Sequence, residues 1–432
     1  MLLLGTAKVN ITPSHPVPLA GFELRQGQGA HTGVSHSLFA RIFCFQHMES
    51  EQEATSAVVI SADLLWWGNQ MIDRLHQKIR EHWPADTIIL HATHTHSGPQ
   101  TSDSFSLFLG KHDPVYLEEL ESRILEGIDA AITQMEPVLI ERGSGECGIA
   151  MNRRRYEVNQ IHTYPEGPVD RELSVIRYTG LHGRVKGILV HYACHPVITA
   201  ANMVSSEFTG VAMEKLEQSI GDGAVCVYLQ GTCGDINPYV GGGGGDETQV
   251  VKFGLQLAHD IRRVLAAPMR SVSPVSLGSE RVIIELSMQA PPDREDLETL
   301  QEEPDVIGEW SRKLLDPLSE VKASIPFEVT TLTLAKGIRL YAMNAEVVVE
   351  YGLYLKSISG HQALPLGYSN GMIGYIPTAR QLAEGGYEPI GSTYYFGLPA
   401  PFDPSIEQML REEFQQLENR WNNPVKEQGG IT

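Results

Sequence analysis

The string His91-Ala92-Thr93-His94-Thr95-His96-Ser97-Gly98-Pro99 follows a short apolar run and carries three histidines. In an extended segment residues i and i+2 face one side, so His94 and His96 project together while His91 points the other way. Two imidazoles at a strand end, where Gly98-Pro99 turns the chain, make half of a metal site. A polar loop whose histidines bond backbone carbonyls is the plainer alternative. A second group, His191-Tyr192-Ala193-Cys194-His195-Pro196, ends the run Val185 to Val190. His191 reads as a core histidine, whereas His195, at the Pro196 turn, stands where a ligand would be placed. A third segment, Gln230-Gly231-Thr232-Cys233-Gly234-Asp235-Ile236-Asn237-Pro238, combines small residues with one carboxylate. Its glycines allow close backbone approach, and Asp235 could orient an imidazole. Taken alone, it also reads as an ordinary turn.

These residues must be held by regular elements. Strand patterns cover Ala57 to Ala62, Thr87 to Ala92, Pro137 to Glu141, Leu173 to Arg177, Val185 to Tyr192 and Ala224 to Leu229. Helical patterns cover Asn69 to Trp83, Pro114 to Gln134, Thr209 to Ile220 and Gln249 to Leu265. The alternation predicts an α/β fold, a mixed β-sheet core flanked by helices. Ligands of such sheets gather at the carboxyl ends of strands, where both histidine groups lie. Further strands are expected at Val275 to Met288, Phe327 to Leu334 and Ile338 to Asn344, then helices at Glu346 to Ser357 and Pro404 to Trp421. Residues 289–324 are acidic with helical spacing and predict a helical surface insertion within one domain spanning 1–432. Gly241 to Gly245 reads as a flexible surface loop, and no Lys-Ser/Thr follows it to make a phosphate cradle.

Composition narrows the partners. Of 432 residues 42% are hydrophobic, enough for a real core, while 33 Lys+Arg face 53 Asp+Glu for a net charge of -20. So acidic a chain repels nucleic acid and anionic membranes, leaving a small-molecule substrate as the expected partner without stable membrane association. No run approaches the roughly 18 apolar residues of a membrane span. Met1-Leu2-Leu3-Leu4-Gly5 lacks the features of a signal peptide, so a cytoplasmic location is expected. The five cysteines form no CxxC pair and are expected as reduced, mostly buried thiols.

The motifs together resemble the catalytic domain of the neutral/alkaline, non-lysosomal ceramidase family of zinc amidases. The matching residues run in order from Gly5-Thr6-Ala7, Ile11-Thr12-Pro13 and Leu38-Phe39-Ala40-Arg41 to Ser61-Ala62-Asp63 and Ala92 to Pro99. They continue through Asn152-Arg153, His195-Pro196, Gly234-Asp235-x-x-Pro238 and Gly374-Tyr375-Ile376-Pro377-Thr378. The family's C-terminal Ig-like domain has no expected counterpart, since the chain ends soon after the match. The resemblance implies zinc held by His94, His195, Glu346 and Tyr375, with His96 as a proton-transfer group. It implies that Arg153 and Tyr387 hold or polarise the scissile carbonyl and that Tyr395 lines the pocket. Elementary chemistry agrees with a nitrogen/oxygen zinc shell, although tyrosine is an unusual ligand and Asp235 ranks above Tyr375 on chemistry alone.

Two departures bear on function. Asn237 stands where the family carries a serine proposed as nucleophile, and an amide side chain cannot form an acyl-enzyme. Asn237 is therefore expected to line the substrate site, with Asp235 beside it. The family has a less basic segment where this chain has Arg153-Arg154-Arg155, so Arg154 is expected to bind an anionic substrate group, a solvated turn being the alternative. The implied function is a zinc-dependent hydrolase that cleaves an amide bond of a soluble small substrate through metal-activated water. A zinc hydrolase of ester or glycosidic bonds and a catalytically silent ligand-binding relative are the alternatives.

Overall fold

The structure, a computed structural model, describes residues 1–50, 53–155, 160–317 and 321–422. Its principal sheet has nine strands. Across it run Val225–Gln230, Val185–Tyr192, Glu172–Gly180, Glu136–Glu146, Leu2–Asn10, Phe39–Met48, Ala54–Ala62 and Thr87–Ala92, with Arg270–Val272 also paired to Glu136–Glu146. Only the two outermost pairs are parallel. Those edge strands are buried along their whole length, as their continuous apolar sequences require.

The edges lie at opposite ends of the strand order, yet they meet. Gln230 N–H donates to His91 Nε2 at 2.8 Å, Gln230 Nε2 to the Thr93 carbonyl at 3.1 Å, and Ser61 Oγ to the Tyr228 carbonyl at 2.6 Å. Strand direction alternates so that the two carboxyl ends would point apart in a flat sheet. The sheet instead folds over near its middle, where Leu3↔Pro137 and Leu4↔Glu136 join the two halves, so that Phe43 packs against Gly187 and Tyr178 and the edges meet. His94 and His195, each just beyond its strand, inherit that convergence.

Helices cover the sheet with apolar faces at helical spacing. Met71, Ile72, Leu75 and Ile79 are the buried side of Asn69–His82. Asp113 caps Pro114–Ile132 through the Tyr116 N–H, and Asp246 with Gln249 forms a capping box for Glu247–Ala266. All five cysteines are free and buried. No helix among the described residues is long and apolar enough to cross a membrane.

A second sheet orders Ser279–Ser287, Ser324–Ala335, Ile338–Met343 and Ala363–Leu366. Its first two strands pair antiparallel from Ser279↔Leu332 to Ser287↔Ser324, so the acidic stretch between them is an excursion from a hairpin. That excursion carries helices Arg294–Leu300 and Val306–Leu315. The second helix braces other segments: Glu309 accepts from Ser106 Oγ and Leu107 N–H, and Trp310 Nε1 donates to the Leu398 carbonyl at 2.7 Å.

Two expectations change. Leu2–Asn10 and Phe39–Met48 are central strands paired with each other, beyond the strands that the sequence pattern predicts. The helix expected from Glu346 begins at Val349, because Glu346 and Val348 donate their N–H groups to the carbonyls of Gly374 and Ile376. Glu346–Val347 is instead a short strand.

Candidate metal centre

His94 leaves the strand Thr87–Ala92 in a left-handed conformation, φ 69°, that a non-glycine residue rarely adopts. The i, i+2 alternation of an extended segment is therefore not what brings His94 and His96 together. Neighbouring carbonyls hold the conformation: His94 N–H donates to Leu64 at 2.9 Å and its Nδ1 faces Leu65 at 2.7 Å. The Nδ1 of His195 faces the Ile236 carbonyl at 3.0 Å, and that of His96 faces the Gly21 carbonyl at 3.2 Å. A carbonyl only accepts, so each Nδ1 carries a proton and each ring turns inward Nε2, the nitrogen whose lone pair can hold a metal.

Those lone pairs converge. The ligand atoms of His94, His96 and His195 lie within 4.8 Å of one another. His94 and His96 bring Nε2 atoms 3.2 Å apart, and Glu346 Oε2 lies 3.4 Å from His94 Nε2 and 3.3 Å from His195 Nε2. Glu346 pairs in register with Tyr375 across the parallel ladder Glu346–Val347 and Tyr375–Ile376, which sets phenol and carboxylate abreast. His94, His195, Glu346 and Tyr375 are all buried. Burial pushes His195 down to about 4, with Arg153 adding to the effect, and burial holds His96 well below the ordinary histidine range. Burial alone would raise Glu346, but His94 and His195 reverse it and hold its carboxyl well below the usual carboxylate range. Inward-turned imidazole nitrogens, a carboxylate and a phenol facing one another in a buried space are donors that a cation would bind together. The donor set therefore fits a divalent metal with nitrogen and oxygen ligands.

Asp235 does not face this group. Its Oδ1 accepts from Val349 N–H at 2.9 Å, and Oδ2 from Gln381 Nε2 at 3.1 Å and Asn152 Nδ2 at 3.3 Å. It caps the helix Val349–Ile358 from outside that helix, and neither oxygen orients an imidazole. Its backbone carbonyl receives Arg153 N–H at 2.9 Å.

Arg153 is beside the centre. Its Nη2 donates to the Tyr375 hydroxyl at 3.1 Å, Nη1 to Asn237 Oδ1 at 3.2 Å and Nε to Glu388 Oε1 at 2.8 Å. Arg154 bonds Glu388 Oε2 at 2.6 Å, Glu384 and the Gly385 carbonyl. The expected anion site at Arg154 is thus already filled by the protein's own carboxylates. The Arg155 side chain lies outside the described residues. Tyr387 stands edge-on to Tyr375 at 5.6 Å and to Tyr395 at 6.1 Å, and the Tyr395 hydroxyl donates to Glu23.

Several contributors carry no motif. Glu388 follows Tyr387 without any distinguishing pattern. Gly21, at φ +98°, yields its carbonyl to His96, and a Cβ there would sit 2.6 Å from His96 Nδ1. Arg25 is buried and ties His96 and Ser97 down through the His96 carbonyl and Ser97 Oγ. Tyr368 stacks on His94 with centroids 3.9 Å apart, and Trp66, Phe105 and Phe396 pack edge to face nearby. Gly241 to Gly245 is anchored rather than loose: Gly243 and Gly245 donate to the carbonyls of Val197 and Ile198, at 2.6 and 2.8 Å.

Residues 2–254 match the family described as neutral/alkaline non-lysosomal ceramidase, N-terminal. The neutral ceramidase of Pseudomonas aeruginosa is 25% identical over 182 residues, which is 39% of this chain and 27% of that protein's length. A crystal structure of neutral ceramidase from Pseudomonas aeruginosa superposes with a TM-score of 0.75 at 18% identity, covering 97% of this chain and 75% of that one. A ceramidase complexed with C2 gives the same TM-score at 16% identity, covering 98% and 75%. At these identities the superpositions speak to the fold.

Proposed function

This chain belongs to the neutral/alkaline non-lysosomal ceramidase family, and from that premise we propose that it hydrolyses an acyl amide with the help of one zinc ion. The convergence of pinned histidine lone pairs on Glu346 and Tyr375 carries the reading. His94, His195, Glu346 and Tyr375 would hold the ion, which supplies Lewis acidity to an acyl carbonyl and to water. Every other task falls to side chains. His96, with Nε2 unprotonated and its ring fixed by the Gly21 carbonyl, takes the proton of the attacking water and passes it to the leaving nitrogen. Tyr387 donates to the oxygen on which charge develops. Arg153, itself paired with Glu388, stands behind Tyr375 and fixes the phenol through Nη2. Trp66, Phe105 and Phe396 offer an apolar wall for the acyl half, while the amine half lies toward Tyr395.

Elemental analysis of protein purified without added zinc tests the reading, beside hydrolysis of a panel of N-acyl amines. Zinc near one per chain is expected, lost in His94→Ala and His195→Ala together with turnover. Undiminished zinc in both variants would overturn the ligand assignment. Cleavage of esters or glycosides with no amide turned over would overturn the reaction class.

A further inference from the structure

The rim of the metal centre is a closed circuit of contacts. His96 meets Phe22 at 5.0 Å, Glu23 follows Phe22 and accepts from the Tyr395 hydroxyl, and Tyr395 meets Tyr387, which meets Tyr375. Glu346, in register with Tyr375, returns the circuit to His94 and His96. Burial grades along it: His94, His195, Glu346 and Tyr375 are buried, Phe22, His96, Tyr387 and Tyr395 are half-buried, and Glu23 is exposed. The mouth therefore opens on the side of Glu23 and Tyr395.

Glu23 brings an uncompensated charge to that mouth. Arg25 and Arg153 flank the circuit but turn away. Arg25 points to the carbonyls of Ala20, His96, Ala200 and Ala201, and to Ser97, while Arg153 pairs with Glu388. Asp305 adds a further negative charge near the Tyr395 phenol. A carboxylate at the Tyr395 hydroxyl, with the Tyr387 ring next to that of Tyr395, offers a cation a countercharge beside aromatic rings. The chain's net charge of -20 draws cations toward it.

We propose that Glu23, with Tyr395 and Tyr387, selects substrates whose amine half carries a second, positively charged nitrogen. The proposal rests on the acyl-amide reading and reverses the sign expected from the arginine triplet. A cationic group at the mouth displaces the Tyr395 hydroxyl from Glu23 and takes its place, while the acyl carbonyl lies at the metal centre.

A matched pair decides it: an N-acyl ethylenediamine, cationic, and the N-acyl ethanolamine of the same short acyl chain, neutral. The expected kcat/KM ratio favours the cation by about tenfold or more, falls toward unity in Glu23→Gln and is partly restored in Glu23→Asp. In parallel, binding of n-butylammonium against n-butanol is followed by calorimetry in the wild type and Glu23→Gln. Equal turnover of both amides, unaltered by Glu23→Gln, overturns the proposal and leaves the amide reaction standing. If neither amide is cleaved, the reaction reading fails, and Glu23-dependent binding of n-butylammonium still supports the cation site. Equal binding by wild type and variant overturns it.

Discussion

Glu388 holds Arg153 through Oε1 at 2.8 Å, and its other oxygen is taken by the adjacent arginine, Arg154, at 2.6 Å. One buried carboxylate thus bridges two guanidiniums, and Glu384 supplies the second negative charge, to Arg154. Burial would raise the Glu388 carboxyl, but the pair of arginines reverses that and holds it below the usual carboxylate range. Two arginines beside a metal centre would by themselves repel a cation, and Glu388 removes that repulsion while leaving Arg153 free to reach Tyr375 and Asn237.

Glu388→Gln keeps a hydrogen-bonding shape but leaves Arg153 without a carboxylate partner, while Arg154 keeps Glu384 and the Gly385 carbonyl. Breaking a buried pair from one side costs about 3–5 kcal/mol. Urea unfolding should show a loss of that order, with a smaller one for Arg154→Ala, which leaves Arg153 paired. A loss in Glu388→Gln no larger than in Arg154→Ala would count against this arrangement.

Gly21→Ala should reduce activity far more than stability. The new Cβ would lie 2.6 Å from His96 Nδ1, and the backbone sits at φ +98°. Strain of that kind costs about 1–3 kcal/mol. Displacing a reacting group by roughly 1 Å can cost about a hundredfold in rate. Gly27→Ala is the control, since its φ is +79° but its Cβ would meet nothing. Similar melting shifts with turnover lost only in Gly21→Ala are expected.

The two variants mark where the sequence is legible. His94, His96 and His195 stand in strings whose residue types announce a strand end and a turn, and the edge strands before them are continuous apolar runs. Their meeting depends on one half of the sheet folding over the other, which no local pattern records. Glu346 and Tyr375 gain their meaning from a parallel pairing between distant segments, and the β-branched Val347 and Val348 there favour extension over the helix that periodicity indicated. Arg154 looked like an anion receptor because its partner, Glu388, comes from a remote turn with no motif. Asp235 looked like a partner for histidine because the segment alone does not show the unpaired N–H of Val349 that it caps. Arg25 is the clearest omission: an arginine amid glycines and glutamines gives no hint that it is buried against five acceptors.

Stability should fall with rising pH through a single buried carboxyl. Glu207 accepts from the N–H groups of Thr199 and Phe208, at 2.9 and 3.4 Å, and burial pushes it from 4.5 up to about 7. Arg25 and Glu247 are the charged groups that act with it. Because the folded value lies above the unfolded one, the stabilisation from the neutral form is whole below about 4.5. It declines as pH rises toward 7, for a total loss of about 3 kcal/mol above that value. Glu207→Gln retains an acceptor for Thr199 and cannot ionise. The difference in unfolding free energy between wild type and this variant should therefore change by about 3 kcal/mol from pH 5 to pH 8. A difference that stays constant with pH would mean that Glu207 is not the titrating group.

The oxygen that enters the product should come from water in the first turnover. Asn237 lies in the short strand Ile236–Pro238, is buried and gives its Oδ1 to Arg153. It therefore offers no hydroxyl where an acyl-enzyme would form. The nearby Ser97 is no substitute, because it is buried and its Oγ accepts from Arg25 Nη2 at 3.0 Å. With water as nucleophile, a single turnover in oxygen-18 water labels the released acid and leaves the protein mass unchanged. Serine-directed reagents should have no effect. Asn237→Ala removes one acceptor from a charged donor, worth about 1.5–3 kcal/mol. Glu388 and Tyr375 still hold Arg153, so the effect should appear as a raised KM with kcat changed only a few-fold. A protein adduct of the acyl mass would place the nucleophile on a side-chain hydroxyl, and unlabelled acid in the first turnover would place it on a side-chain carboxylate.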